Sequence, residues 1–92
     1  MVPIHPGRIL RRELAARNLS ANALARALRV PSGRIVDILN GKRAISAESA
    51  LRLGRYFGND PQFWVNLQAQ YELAVAMRDV GDRVRREVQK AG

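Results

Sequence analysis

Ninety-two residues hold one domain around a single apolar core, and leave little chain for a second domain or a deep catalytic pocket. No cysteine is present, which removes disulfides and thiolate metal sites, and a lone histidine, His5, gives no imidazole cluster, so neither metal nor cofactor is expected. Lys and Arg number 16 against 8 Asp and Glu, a net charge of +8, of which +7 falls in residues 1–45. Such a one-sided field suits a polyanionic partner, nucleic acid being the commonest; a solvated basic face with no partner is the alternative.

Apolar residues recur at spacings of three and four and nowhere alternate with period two, so the fold class is all-α. A first helix follows Pro6 and runs to about Arg17, burying Ile9, Leu10 and Leu14 before Asn18 breaks it. Ser20 caps a second helix over 21–28, with Leu24, Ala25 and Leu28 inward. Arg29-Val30-Pro31 makes the turn, because proline disfavours helix at the residue before it. Arg29 stands where such turns often hold a glycine at positive φ, a conformation costing an arginine about 1 kcal/mol.

A third helix runs from about Ser32 to Leu39 and stops at Asn40-Gly41. Ser46 caps a fourth, with Ala50, Leu51 and Leu53 inward, Tyr56 and Phe57 weighed for the same face, and Gly58 as the stop. Asp60-Pro61 opens a fifth, in which Phe63 and Trp64 are expected to close the core, followed by Leu67 and Tyr71. We expect residues 1–72 to form the domain proper. Residues 73–92 form an amphipathic helical extension in which Gly81 offers a break. The result is a five-helix bundle.

The segment 20–43, SANALARALRVPSGRIVDILNGKR, carries the functional signal. Two short helices joined by a three- or four-residue turn match the helix-turn-helix, whose second helix enters the major groove. With Ile35 and Ile38 inward, Gly33 and Asp37 point outward, flanked by Arg34, Val36 and Asn40. Arg34 can chelate guanine, Asp37 can accept from cytosine, and Val36 can pack on a thymine methyl. Ser32 and the helix start suit a phosphate, and Asn40, Lys42 and Arg43 suit the backbone. With Ser20, these nine residues are the expected DNA contacts. A plain helical hairpin with a wet face is the alternative.

After Tyr71, apolar residues fall at Leu73, Met77, Val80, Val84 and Val88, spaced nearly as a heptad seam. We expect a homodimer through Leu73, Met77, Val80 and Val84 on a palindromic operator; the alternative is that this stripe folds back on its own core. His5 reads as a capping or packing residue. An enzyme is disfavoured, since acids are scattered and no general base is placed beside one. An RNA module would want an aromatic stacking strip that is missing. No apolar run reaches about 18 residues, and MVPIHPGRIL lacks the apolar stretch of a signal peptide, so a cytoplasmic protein without a membrane partner is expected.

The helix-turn-helix resembles that of the Xre, or lambda-repressor-like, family. Residues 5 to about 73 look like the HigA/VapI antitoxins, through HPG near the start, ILNGKRAIS after the third helix, and ALRLGRYFG followed by PQFWVNLQAQYEL. That resemblance implies a repressor of its own operon that also neutralises a HigB-type ribonuclease toxin. It also places DNA-reading positions at Ser32, Gly33, Arg34 and Asp37. A stand-alone repressor without a toxin remains the alternative.

Overall fold

A computed structural model describes residues 2–92. The helices run in the order α1 (Pro6–Ala16), α2 (Ala21–Leu28), α3 (Ser32–Leu39), α4 (Ala47–Phe57) and α5 (Pro61–Glu87), with no strand among the described residues. Each begins where the sequence supplies an acceptor or a proline. His5 Nδ1 accepts from the Gly7 amide, Ser20 Oγ from Ala23, Ser46 Oγ from Ser49, and the Asp60 carboxylate from Gln62. Pro6 and Pro61 open α1 and α5, where an amide would be unpaired anyway.

The ends are equally local. Asn18, Arg29 and Gly58 all sit at positive φ, 52°, 60° and 73°. At α2 the Val30 amide donates to Ala25 O and the Arg29 amide to Arg26 O, the paired bonds that close a helix on a left-handed residue. Asn18 and Leu19 repeat the arrangement at α1, bonding Ala15 O and Leu14 O.

The core gathers Leu10 and Leu14 from α1, Leu24, Ala25 and Leu28 from α2, Ile35 and Ile38 from α3, Ala50 and Leu53 from α4, and Trp64 from α5. Trp64 is fully buried, and its indole N–H donates to Asn59 Oδ1 at 3.1 Å, so the polar edge of the ring is satisfied. Two glycines let backbones meet. A Cβ on Gly54 would stand 2.8 Å from Asn59 O, and one on Gly7 would collide with the Ile38 carbonyl.

Three expectations need correcting. Leu51 and Tyr56 are exposed. Around α4, Leu51 lies about 160° from Leu53, outside the arc shared by Ser49, Ala50, Leu53 and Phe57. With Ala27, Leu28, Arg29, Arg52 and Arg55, Leu51 and Tyr56 line an open groove of about 530 Å³ beside α2. Phe63 is 44% exposed, because residues adjacent in a helix point about 100° apart and only Trp64 can face the core. Phe63 instead meets the indole edge-on, its centroid 5.0 Å away.

Nor does Gly81 break the chain. α5 is one helix of 27 residues, a rod of about 40 Å at 1.5 Å per residue. It gives the molecule its elongated extents of 52 × 22 × 22 Å. Ala74 is its last core residue, and beyond it the helix does not fold back. Among the described residues, no helix is long and apolar enough to cross a membrane.

Candidate nucleic-acid interface

α2, the turn and α3 form a pair held by buried Leu24, Ala25, Leu28, Ile35 and Ile38. Ala25, small and buried, sits where α2 approaches its partner, and the left-handed Arg29 swings the chain into α3. α3 has no side-chain cap: Pro31 precedes it, and Ser32 and Gly33 are both exposed. The Ser32 and Gly33 amides of its first turn are therefore open to an anionic ligand, while the Arg34 amide donates to Pro31 O at 3.1 Å.

The remaining expected residues are each exposed or half-buried. Val36 is exposed, and Arg34 and Asp37 are half-buried. A Cβ on Gly33 would touch nothing within 4 Å, so no neighbour in the fold requires that position to be bare. Asn40, Gly41, Lys42 and Arg43 follow as an exposed loop. Lys42 is held by its amide donating to Asp37 O at 2.8 Å, leaving the ammonium on a flexible stem. Ser20 is exposed too, but its hydroxyl is already engaged with Ala23.

The loop is anchored from beneath. The Ile45 amide donates to Gln68 Oε1 at 2.9 Å, a buried bond from loop to α5. His5 wedges between loop and rod, its ring 4.9 Å from that of Tyr71 and close to Gly41. Burial holds the His5 imidazole below its ordinary pKa, opposed by a backbone hydrogen bond with Arg43. The capping and packing role expected of His5 is what these contacts describe.

Three residues escaped the sequence reading. Arg11 Nη2 donates to Leu39 O at 3.1 Å and to Asn40 Oδ1 at 3.0 Å, tying α1 to the end of α3. The Asn40 amide oxygen is thus occupied, and only its NH₂ is free to face a ligand. Glu48 lies 3.8 Å from the Arg34 guanidinium, and Arg52 donates to both Glu48 and Leu28 O. Glu48 and Arg52 stand four apart on α4, a spacing visible in the sequence, but the contacts to Asn40, Leu39 O, Leu28 O and Arg34 join distant positions, up to 29 apart, that no local pattern announces.

A short helix, a turn fixed by a left-handed residue, and a second helix with a buried apolar side and an open polar one define a helix-turn-helix DNA-binding domain. The helix-turn-helix family matches residues 10–64. Virulence-associated protein I of Dichelobacter nodosus is 52% identical over 80 residues, 86% of this chain and 74% of that protein. Two solved structures superpose along essentially the whole chain. A HigA-family addiction-module antidote protein from Coxiella burnetii is 46% identical with a TM-score of 0.96, covering 99% of this chain and 100% of that one. The Pseudomonas aeruginosa antitoxin HigA, solved with the higBA promoter, is 47% identical with a TM-score of 0.95 at the same coverage. The chain belongs to the helix-turn-helix family, among its HigA-type antitoxins.

Proposed function

We propose that this protein binds the operator of its own operon as a homodimer, represses it, and neutralises a HigB-type ribonuclease toxin. The observation that carries the DNA half is the bare, outward Gly33 between Ser32 and Arg34 at the uncapped start of α3, beside the basic Lys42-Arg43 loop. In this reading Gly33 admits close approach, Ser32 and the α3 amides take a phosphate, and Arg34, Val36 and Asp37 meet base edges. Ser20, Asn40, Lys42 and Arg43 hold the backbone and contribute affinity without sequence information. The protein acts by binding, in the cytoplasm, and not as an enzyme.

The dimer is supported by α5. Leu73 and Met77 are 59% and 51% exposed, Val84 is exposed and Val80 half-buried, the last three of these beyond the last core residue, Ala74. On the adjacent face of α5 opens a second groove of about 250 Å³, lined by Val2, Ile4, Ile9, Leu67, Gln70, Tyr71 and Ala74. Gly81 directly follows Val80, and a small residue there lets another helix come close. Toxin neutralisation rests on family membership alone. The chain's +8 favours the second reading, a repressor without a toxin, because an RNA-cleaving partner is itself expected to be basic.

Titration of operator and unrelated DNA at rising salt tests the first half: both affinities should fall steeply, with the operator always ahead. No preference for the operator at any salt would overturn it. Expression of the adjoining small gene with and without this protein tests the second. Equal growth arrest in both leaves the stand-alone repressor.

A further inference from the structure

We propose that Glu48, on the first turn of α4, is a positioning residue that aims Arg34 at the bases and away from the phosphates; this rests on the reading of Arg34 as a base-contacting side chain. One carboxylate serves two arginines. Glu48 Oε1 faces Arg34 Nη1 at 3.8 Å, and Oε2 accepts from Arg52 Nη2 at 3.0 Å and Arg52 Nε at 3.3 Å. Arg52 is fixed in turn, its Nη1 donating to Leu28 O at 2.9 Å, the carbonyl just before the Arg29 turn. The chain of contacts therefore runs from the end of α2, through Arg52 and Glu48, to the first turn of α3.

The physics favours orientation over stability. Glu48's side chain is 61% exposed, so its pairs contribute little to folding. Close to DNA the same carboxylate has a different effect. A free arginine at a groove edge is drawn to the nearest phosphate, a contact blind to sequence. A fixed negative charge beside its guanidinium repels phosphate and leaves the fork to a neutral acceptor pair such as guanine O6 and N7. Glu48 should thereby weaken binding to all DNA slightly while widening the gap between operator and non-operator.

The test measures the ratio of non-operator to operator Kd for four forms of the full chain: wild type, Glu48→Gln, Arg34→Ala, and the double variant. Glu48→Gln keeps an acceptor for Arg52 and removes only the charge. It should tighten non-operator binding and reduce the ratio by about two- to fivefold, the range of an exposed charge pair. In the Arg34→Ala background the same change should leave the ratio untouched. A loss of fold would lower both affinities together and not move the ratio in this coupled way. An unaltered ratio in Glu48→Gln, or an equal change with and without Arg34, overturns the proposal. If Arg34→Ala alone leaves the ratio at the wild-type value, the reading of Arg34 fails, and the positioning role falls with it.

Discussion

Gly7 lies against the carbonyl of Ile38 with no room for a Cβ between them. The first turn of α1 thereby rests on the last turn of α3, so the helix that faces the DNA is seated on the one residue type that permits contact. Gly7→Ala must push α3 outward or distort the start of α1. We expect a loss of about 1–3 kcal/mol in urea unfolding, the cost typical of overpacking. Stability equal to wild type would show that this seat is soft.

Gly33 on the same helix is the converse case. Alanine there meets no protein atom and improves helix propensity, so Gly33→Ala should raise stability by about 0.5–1 kcal/mol. Operator affinity should fall at the same time, at least tenfold if the backbone approaches DNA. Thermal unfolding and operator titration on one preparation check both, and a variant that binds as well as wild type argues against close approach.

Arg29 occupies the left-handed region at φ 60°. Arg29→Gly should therefore stabilise the fold by roughly 1 kcal/mol, less the added flexibility of the unfolded chain. A lower melting temperature would mean that the arginine side chain contributes contacts outweighing its backbone strain.

His5 gives the protein a pH-dependent cap. Its folded pKa lies below the unfolded value near 6.5, so the unfolded chain takes up its proton first as pH falls. The stability it contributes is present above that value and is lost on acidification from pH 6.5 downward, through the lowered folded pKa. Protonated Nδ1 can no longer accept from Gly7. His5→Asn keeps an acceptor without a proton to gain, and its denaturation midpoint should change less than wild type's between pH 7.5 and 5.5. Parallel curves for the two proteins would remove His5 from the account.

Met77→Glu tests the stripe on α5. The wild type should scatter light as a dimer and the variant as a monomer of equal helicity. The expected rise in dimer Kd is roughly 100-fold or more, since symmetry buries two carboxylates in one apolar seam. A monomeric wild type sinks the dimer, and a variant that stays dimeric moves the seam elsewhere.

What the sequence made legible was local: caps at Ser20, Ser46 and Asp60, the stop at Gly58, and the strained turn at Arg29 are each set by one or two residues. Burial was less readable where apolar residues crowd one turn. Leu51 and Phe63 are apolar enough for a core, and only their angle around the helix excludes them. Gly81 was ambiguous because a mid-helix glycine costs about 1 kcal/mol, less than the neighbouring helix can supply. The Arg11–Asn40 and Arg34–Glu48 contacts were invisible in principle, since tertiary packing alone brings those positions together, whereas Glu48–Arg52 is an i,i+4 pair whose spacing the sequence does display.

The unbroken course of α5 makes the rod a ruler. In the proposed dimer no hinge lies between Trp64, fixed in the core, and the distal seam, so the separation of the two recognition helices is written in helix length. One inserted residue after Ala74 would turn Met77, Val80 and Val84 by about 100° away from Leu73 and split the seam, while seven would nearly restore their direction and lengthen each arm by about 10 Å. Operator half-site spacing and the number of residues between Trp64 and the seam should accordingly change together among relatives, in steps of whole heptads.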